Sequence, residues 1–412
     1  MQRAVITGLG VISPIGLTTE EFWTNLTNGV SGVGPITQFD ATGFPVRIAA
    51  EVKGFDPQDY MDHKTARRLG RAVQFAIAAA QQAIQDAGLQ VPLRNGPSVG
   101  VVLATGGGGM ADTEAATRTL IEKGPRAISP FFIPNIMPNA PACQISILTG
   151  AQGPILAPTA ACASGNYALV EALRLMRLGE AEVVIAGGTE SGITPLAFAA
   201  LGRMGALSRR NNEPTRASRP FDLHRDGFVF GEGAAVMVME TEEYARRRGA
   251  RIYAEVVGGG ITGDAYHITA PEPDGRGAAR AMTLALADAQ MRPQDVDVIF
   301  AHGTSTPLND VAETKAIKLA LGEHAYKVAI SATKSMIGHL LGAAAAASTT
   351  AAVLSVREGI IPPTINLETP DPECDLDYVP NVARAQRVRA AMVNGFGFGG
   401  QNATLIIRRY VE

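Results

Sequence analysis

The sequence predicts an α/β fold built from layers of helices and strands, and three observations support this prediction. Short runs rich in apolar and β-branched residues alternate along the chain with longer segments of helical periodicity. The composition is 46% hydrophobic, with 45 glycines and one tryptophan, which favours closely packed backbones. Several helical segments are apolar on most sides, as expected for helices inside a layered body. With 412 residues, the chain is long enough for two or three packed units.

Eight segments are predicted to be strands because each combines apolar and β-branched residues over four to six positions. In chain order they are residues 3–7, 99–103, 183–186, 235–239, 252–257, 296–301, 328–331 and 390–393. Five longer segments are predicted to be helices: residues 63–87, 165–178, 275–289, 310–321 and 339–357. Gly88 and Gly179 follow two of these helices, and glycine is common just past a helix C-terminus.

The charge and cysteine content exclude several kinds of partner and site. A formal net charge of -3 gives no field that would attract nucleic acid or an anionic membrane. The run 340–356 is too short and too weakly apolar to span a bilayer, and the first ten residues lack an export signal. Cys143, Cys162 and Cys374 form no CxxC pair, so we predict neither disulfides nor a metal site. We expect a cytoplasmic protein.

Two parts of the chain are similar in outline, which predicts an internal duplication. PILAPTAACASG in the first part and KVAISATKSMIGHLLGA in the second both combine a strand, a turn and a helix of small residues. Each is followed by a strand, a glycine-rich turn and another strand. We therefore expect one half over residues 1–250 and a second half over residues 251–412.

The stretch AACASGN places Cys162 between a strand-like segment and an apolar helix, with only small residues around it. A sulfur at a helix N-terminus lies near unpaired N–H groups and the positive end of the helix dipole, which favour the thiolate. The same N–H groups can stabilise an oxyanion. The alternative is that Cys162 is a small buried hydrophobe, as most free cysteines are.

Three further turns follow apolar strands, where α/β proteins build their sites. His302 lies in AHGTSTPLND, and Lys334 and His339 flank the start of a helix in TKSMIGHLLGA. Each of these residues alone could instead be an ordinary capping or packing residue. The third turn, NGFGFGGQN, alternates glycine with Phe396 and Phe398, so its backbone must bend tightly or approach another group closely. The alternative for this turn is a β-bulge or hairpin with core phenylalanines.

Two glycine motifs do not fit cofactor sites. Gly8-Leu9-Gly10 lacks the third glycine of a dinucleotide fingerprint, and Pro14 follows where a phosphate-binding helix should begin. The four glycines at 106–109 are not followed by the Lys-Ser/Thr pair of a P-loop. We expect these four glycines to line a cavity.

Together, AACASG, AHGTSTPLND, TKSMIGHLLGA and NGFGFGGQN resemble the signature stretches of β-ketoacyl-acyl-carrier-protein synthases, most of all the synthase II branch. The resemblance runs from RAVITGLGVISPIG to the C-terminus. It implies a thiolase-like fold of two duplicated halves in five αβαβα layers, normally as a homodimer. It also implies decarboxylative condensation of an acyl group with malonyl-acyl-carrier protein. The phosphopantetheine would arrive on the carrier protein, with no other cofactor and no metal.

The resemblance also implies roles for individual residues. Cys162 would accept the acyl group, while His302 and His339 would act on the malonyl thioester and Lys334 would organise charge around His339. The backbone N–H groups of Cys162 and Phe398 would form an oxyanion hole, and Phe398 would act as a gate. The implied substrate contacts are Thr304 and Thr306 for the phosphopantetheine arm, with Phe396, Gly107 and Gly108 along the substrate pockets.

A basic stretch, HKTARRLGRA, places Lys64, Arg67, Arg68 and Arg71 at helical spacing near a helix start. Such a cluster is often only a solvated helix face. The matching region docks the acidic carrier protein in relatives, so we predict a docking surface. Its contacts would weaken with salt and mainly set the association rate.

Three positions depart from the family pattern. Ser348 stands where elongating relatives commonly have a glutamate facing the lysine. The positive charge of Lys334 must therefore be balanced by a different group. Gly107 or Gly108 stands about where many synthases place a bulky apolar residue, which predicts a roomier pocket for long or branched acyl groups. Gly395 replaces a serine and is expected to loosen the gate loop.

Three related classes of protein compete with this interpretation. A type II polyketide ketosynthase would carry the same motifs. A non-elongating partner subunit of such an enzyme usually lacks the nucleophilic cysteine, whereas Cys162 is present. A biosynthetic thiolase would use a second catalytic cysteine near its C-terminus, but Cys374 lies in the acidic stretch DPECDLD.

Overall fold

The computed structural model describes residues 2–411, and a ten-stranded sheet dominates them. The strands are β1 (Ala4–Ile12), β2 (Gly34–Pro35), β3 (Ile48–Ala49), β4 (Val99–Ala104), β5 (Ile155–Leu156), β6 (Val183–Glu190), β7 (Gly233–Thr241), β8 (Ala254–Gly263), β9 (Val298–Phe300), β10 (Ala329–Ser331), β11 (Ile360–Ile361), β12 (Arg384–Ala385), β13 (Ala390–Gly397) and β14 (Gln401–Arg408). The order in the large sheet is β10-β9-β13-β14-β8-β1-β7-β6-β4-β5. All eight predicted strands overlap strands of this sheet.

The helices occupy the faces of the sheet. They are α1 (Thr19–Thr27), α2 (His63–Ala66), α3 (Arg71–Asp86), α4 (Met110–Lys123), α5 (Phe132–Ile136), α6 (Ala140–Thr149), α7 (Ser164–Arg177), α8 (Pro195–Met204), α9 (Glu242–Arg247), α10 (Arg276–Asp288), α11 (Pro307–Leu321), α12 (Lys334–Ile337) and α13 (Ala344–Glu358). Within residues 2–411, none of them is long and apolar enough to cross a membrane.

The sheet repeats one five-stranded pattern. In the first half β5, β4 and β6 are parallel, and β7 and β1 continue antiparallel. In the second half β10, β9 and β13 are parallel, and β14 and β8 continue antiparallel. The halves meet where β1 pairs with β8. The pattern agrees with a duplicated chain, while the division between residues 250 and 251 stays a prediction.

Two helices lie between the halves of the sheet. α13 contacts β13 and β14 on one side and β6 and β7 on the other, and α7 also contacts strands of both halves. Every residue of α13 from 344 to 356 is buried. Its alanines, serines and threonines allow this close packing on all sides. Because α3 covers β1 and β7 and α10 covers β8 and β14 from outside, the predicted five-layer fold is confirmed.

Glycines bring each outer helix very close to the sheet. A Cβ atom on Gly10 would lie 1.9 Å from the carbonyl oxygen of Ala79 in α3. In the second half, a Cβ atom on Gly260 would lie 2.1 Å from the carbonyl oxygen of Ala281 in α10. The Gly-Leu-Gly motif of β1 therefore serves helix packing, which explains its poor fit to a dinucleotide site.

The helices differ from the sequence prediction in two respects. The predicted helix 63–87 is in fact α2 and α3, because Gly70 adopts an extended ψ of 154° and redirects the chain between them. The sequence also does not predict α1, α4, α5, α6, α8, α9 or α12. α4 has no buried residue, so it lacks the apolar stripe on which such a prediction depends.

Candidate active site

Cys162 lies in a tight turn between β5 and α7. The turn Ala161–Ala163 is a single 3-10 turn, and Ala161 has a positive φ of 47°, which residues with a side chain rarely adopt. Ser164 holds this turn, because its Oγ accepts the Ala160 N–H at 2.8 Å and donates to the Ala161 carbonyl at 2.6 Å. Strained strand-to-helix turns of this kind present nucleophiles in other enzymes.

The second half repeats the turn without the sulfur. Leu341, just before α13, also has a positive φ, of 41°. Gly342 takes the place that Cys162 has in the first half, and a Cβ atom there would lie 2.3 Å from the backbone nitrogen of Gly106. Oε2 of the buried Glu190 accepts the N–H groups of Gly106 at 2.8 Å and Gly342 at 3.1 Å. This carboxyl group ties the two halves together beneath Cys162.

A cavity of about 330 Å³ opens at the sulfur. The predicted site residues that line it are Cys162, His302, His339, Thr304, Thr306, Phe396 and Phe398. Cys162 comes from the first half of the fold and the other six from the second. The structure thus brings together most of the residues that the sequence motifs singled out.

The two imidazoles are close neighbours in this cavity. The ring centroids of His302 and His339 are 5.5 Å apart, and the rings are nearly perpendicular at 84°. The backbone N–H of His339 donates to the Val229 carbonyl at 2.7 Å, which fixes the turn that carries it. Burial, and then the charge of Lys334, lower the pKa of both histidines well below the usual value. Both rings are therefore neutral at pH 7.

The surroundings of these rings also indicate their tautomer. Nδ1 of His302 and Nδ1 of His339 are both buried without a hydrogen-bond partner. A neutral imidazole has one N–H and one acceptor nitrogen, and buried N–H groups are very rarely left unpaired. We therefore expect the proton on Nε2 of each ring, where it can be donated to a bound oxygen.

Lys334 lies behind the histidines and does not line the cavity. Its Nζ donates to the His302 carbonyl at 2.7 Å, and the side chain is fully buried. Burial lowers the pKa of Lys334 to about 8, and the carboxyl group of Glu313 acts in the opposite direction. Ser348 is hydrogen-bonded to Thr333 at 2.8 Å instead. Among the groups around Lys334, the charge of Glu313 opposes the effect of burial most.

Glu313 is a site residue that the sequence analysis missed. Its carboxyl group accepts the backbone N–H groups of His302 at 2.8 Å and Gly303 at 2.7 Å, and the side-chain amide of Asn394 at 3.1 Å. Burial raises the pKa of Glu313, and these three donors lower it. The sequence signal was its place in the helix that follows the AHGTSTPLND turn. Its effect is to fix the backbone that carries His302.

Burial raises the pKa of the Cys162 thiol to about 11. The charge of Lys334 and the backbone N–H groups of Phe398 and Cys162 lower it, while Glu190 raises it further. Burial thus acts on the Cys162 pKa against the direction predicted for the helix terminus, and it is the largest of these effects. At pH 7 the sulfur carries its proton, which must leave during acyl transfer.

Phe398 lies at the tip of the hairpin between β13 and β14, and 36% of its surface is exposed. The hairpin passes very close to the backbone of the Cys162 turn, since a Cβ atom on Gly397 would lie 2.4 Å from the carbonyl oxygen of Ala160 and 3.2 Å from the backbone nitrogen of Cys162. Gly395 lies within β13, where it pairs with Ala403, and not in the turn. The structure therefore gives no basis for the prediction that Gly395 loosens the gate loop.

The remaining predicted substrate residues fall into two groups. Thr304 and Thr306 line the cavity with their hydroxyl oxygens 2.9 Å apart. Gly107 lines a second cavity of about 590 Å³ beside α4. Gly108 lines neither cavity, and a Cβ atom there would lie 3.1 Å from the carbonyl oxygen of Ile136. Of the two glycines, the structure thus supports only Gly107 as a pocket residue.

The basic stretch is not one helix face. Lys64, Arg67 and Arg68 are exposed, whereas Arg71 starts the separate helix α3. The Arg71 guanidinium makes a bidentate pair with the buried carboxylate of Glu232, with its closest contact at 2.8 Å. We therefore assign Arg71 to the packing of this region and keep the other three as the predicted docking surface.

An acyl group carried by the sulfur of Cys162 would share one cavity with two imidazole N–H donors. That arrangement suits the joining of two thioesters through a carbon–carbon bond, in which one partner becomes an enolate. Fold and site together define a condensing enzyme of the thiolase type.

The chain belongs to the β-ketoacyl synthase family. Residues 1–245 match the family described as Beta-ketoacyl synthase, N-terminal domain, and residues 253–368 match Beta-ketoacyl synthase, C-terminal domain. The chain is 51% identical over 409 residues to 3-oxoacyl-[acyl-carrier-protein] synthase 2 of Synechocystis sp., covering 99% of this chain and 98% of the relative. The predicted family and enzyme class are confirmed.

Two solved structures are similar over the full length of both chains. The ishigamide ketosynthase/chain length factor has a TM-score of 0.93 at 39% identity. A type II polyketide acyl-carrier protein in complex with its ketosynthase, bound to the hexaketide, has a TM-score of 0.91 at 36% identity. The similarity of these ketosynthases supports the thiolase-like architecture derived above.

Proposed function

We propose that this chain extends acyl groups by two carbons in fatty acid synthesis. Cys162 accepts the acyl group from an acyl carrier protein, and malonyl-acyl-carrier protein then condenses with it to give a β-ketoacyl-acyl-carrier protein and CO2. The observation that carries this proposal is the shared cavity of Cys162 and two neutral imidazoles. The 51% identity to a 3-oxoacyl-[acyl-carrier-protein] synthase 2 supports the choice of pathway.

In the first step, the sulfur of Cys162 forms a bond to the acyl carbon while the thioester bond to the carrier breaks. The thiol proton passes to the departing pantetheine sulfur, so atoms and charge balance. With the pKa near 11, ionising the thiol beforehand at pH 7 would cost about 5 kcal/mol. We therefore infer that deprotonation accompanies attack. The N–H groups of Cys162 and Phe398 would hold the tetrahedral oxyanion, and losing one such donor costs roughly 3 kcal/mol.

In the second step, the malonyl thioester loses CO2, and the electrons of the broken bond form an enolate. Its oxygen would accept the Nε2–H groups of His302 and His339. The enolate carbon then attacks the acyl carbon, and the sulfur of Cys162 leaves and takes up one proton. Both imidazoles remain neutral throughout, so their lowered pKa values suit donors rather than bases.

The other residues position the reactants. Thr304 and Thr306, paired at the cavity wall, would bind the phosphopantetheine arm, and no separate cofactor or metal is needed. Phe398 would swing aside as each substrate enters, with Phe396 remaining packed 5.5 Å from the His302 ring. Lys334 would maintain the positive charge near the sulfur that partly offsets its desolvation.

We assign the chain to a homodimer in a reducing cytoplasm, with residues 1–250 and 251–412 as its two halves. Cys143, Cys162 and Cys374 are free thiols, as that compartment favours. β5 is an edge strand whose Ile155 and Leu156 are 40% and 38% exposed. An exposed apolar edge strand needs a partner, and a second copy would cover it. Carrier protein would dock on the surface formed by Lys64, Arg67 and Arg68.

The test combines purified protein, acyl-carrier proteins of several chain lengths and malonyl-carrier protein, with products followed by mass spectrometry. A product two carbons longer should form, and Cys162→Ala should abolish it. Cys143→Ala, which changes a cysteine outside the cavity, should not. Elongation that survives in Cys162→Ala would overturn the proposal. Acylation of Cys162 without condensation would favour a non-elongating partner subunit.

A further inference from the structure

The carboxyl group of Glu190 is fully buried beneath the turn that carries Cys162. Glu190 is the last residue of β6, and none of its surface is exposed. Its Oε2 accepts the N–H groups of Gly106 and Gly342, which come from the two halves of the fold. Its Oε1 has no hydrogen-bond partner within residues 2–411. The proposed condensation steps do not use this carboxyl group.

Two contacts connect Glu190 to the Cys162 turn. A Cβ atom on Gly106 would lie 2.8 Å from Oε2 of Glu190 and 3.3 Å from the carbonyl oxygen of Ala161, the residue before Cys162. The hydroxyl oxygen of Ser164, which holds that turn, also lies 3.2 Å from the carbonyl oxygen of the residue before Gly106. The carboxyl group and the turn therefore contact the same short stretch of backbone. A charge on Glu190 acts on the sulfur through buried protein, where electrostatic effects are strong.

The proton on Glu190 responds to pH near neutrality. Burial raises the pKa of Glu190 to about 7, while the backbone N–H groups of Gly342 and Gly106 lower it. The unpartnered Oε1 gives the physical reason, because a buried charge without enough hydrogen-bond donors is costly. Below about pH 6 the carboxyl group is therefore neutral, and above about pH 8 it is a carboxylate.

The charge of Glu190 opposes the ionisation of Cys162. The carboxylate raises the pKa of the thiol, so less thiolate is available. The same negative charge disfavours the oxyanion that forms beside the sulfur during acyl transfer. The effect is reciprocal, because a charge at either group changes the proton affinity of the other by the same factor.

Other charged or titratable groups lie on the elements around Glu190. They are Cys162, His339, Lys334, Asp112, Glu232 and Arg71. Glu232 accepts the hydroxyl of Ser191, the next residue after Glu190, at 3.2 Å. Because Glu232 is paired with Arg71, this pair adds no net charge there. The charge of Lys334 acts on the sulfur in the direction opposite to that of Glu190.

We propose that Glu190 is a positioning residue for Cys162 whose proton controls the reactivity of the sulfur: the neutral carboxyl group permits acyl transfer, and the carboxylate slows it. This inference rests on the proposed role of Cys162 in acyl transfer. It makes the Glu190 proton a second determinant of the acylation rate, beside the proton of the thiol itself.

The experiment compares Glu190→Gln with the unmodified protein by the rate at which iodoacetamide alkylates Cys162, followed on the Cys162 peptide by mass spectrometry. The amide oxygen of glutamine can accept both backbone N–H groups, and its NH2 group then takes the place of Oε1, where no hydrogen bond is lost. The ratio of variant to unmodified rates should be about 1 at pH 5.5 and about threefold to tenfold at pH 8.5, with its midpoint near pH 7. The titration of Lys334 is common to both proteins, so the ratio removes it.

A matched control removes the same charge elsewhere. Glu182→Gln lies just before the other end of β6, and its ratio should stay about 1 at every pH. A Glu190→Gln ratio that is the same at every pH would overturn the inference, since a merely structural effect has no midpoint near pH 7. A Glu190→Gln protein that circular dichroism shows to be unfolded would also overturn it, because the substitution keeps both hydrogen bonds and removes only a charge.

The alkylation assay needs no carrier protein, so it tests Glu190 separately from the elongating activity. Failure of the unmodified protein to elongate any acyl chain would overturn the proposed function, whatever the alkylation ratio. A ratio without pH dependence in a protein that does elongate would overturn only the role of Glu190.

Discussion

Replacing Glu313 by glutamine tests how its buried carboxyl group supports the His302 turn and the pKa of Lys334. The carboxyl group accepts three N–H donors, and its charge raises the pKa of Lys334. In Glu313→Gln, one acceptor oxygen becomes an NH2 group, so either the His302 or the Gly303 N–H faces a donor. A buried donor left without its partner costs about 1–3 kcal/mol.

The second contribution to the loss of unfolding free energy in Glu313→Gln comes from Lys334. An uncompensated buried charge would cost about 3–5 kcal/mol. Deprotonating a lysine with a pKa near 8 at pH 7 costs only about 1.4 kcal/mol, so the lysine loses its proton instead. The two contributions sum to about 3 kcal/mol of unfolding free energy. The pKa of Lys334 falls further in the variant, because Glu313 no longer opposes the effect of burial.

Two assays check this reasoning. Urea denaturation followed by circular dichroism should show the loss of about 3 kcal/mol, with Glu323→Gln on the surface as the matched control. The pH profile of elongation should lose activity above about pH 8 in the unmodified protein, as Lys334 deprotonates, and at lower pH in Glu313→Gln. A stability change below about 1 kcal/mol together with an unshifted profile would refute the assigned roles of Glu313 and Lys334.

Three further predictions follow from the geometry of the site and its surroundings. The rate of Cys162 alkylation by iodoacetamide should rise about tenfold per pH unit to beyond pH 10, because burial raises the thiol pKa to about 11; a plateau by pH 8 would contradict this. His339→Ala should slow malonyl decarboxylation by about 100- to 1000-fold, and in the unmodified protein that rate should stay constant down to pH 6 because both imidazoles are already neutral; an acid limb near pH 6.5 would count against it. Arg67→Glu should slow carrier-protein association at low salt without changing the melting temperature, whereas Arg71→Glu should lower the melting temperature because Glu232 is buried beside it; equal effects on both measurements would argue against separating the two residues.

Much of this site was predictable because its reactive residues lie in short sequence motifs. Cys162, His302 and His339 each stand in a turn after a strand, where α/β proteins build their sites. The long-range partners were not predictable in this way. Nothing local to Glu313 shows that its carboxyl group closes the His302 turn, and nothing local to Glu190 shows that its carboxyl group joins Gly106 to Gly342.

Other differences between the sequence predictions and the structure have a more general physical cause. Periodicity detects helices through their buried stripe, and α4 has no such stripe. The local sequence around Cys162 shows the helix end but not the burial of the sulfur in the assembled core, which is the largest effect on its pKa. Gly70 separates two helices that share one continuous apolar pattern, which a pattern alone does not register.

The turn at Gly342 repeats the Cys162 turn without a sulfur, and it limits each polypeptide to one acyl group. Both halves of the fold keep the strained residue that would present a nucleophile, but at Gly342 the space for even one carbon is taken by the backbone of Gly106. A second acyl group therefore has no attachment point in this chain. One equivalent of acyl donor should saturate each polypeptide, so the proposed homodimer would carry two acyl groups. The first half of the fold carries the sulfur that accepts the acyl group. The second half, which has Gly342 in the place of the cysteine, supplies the two histidines.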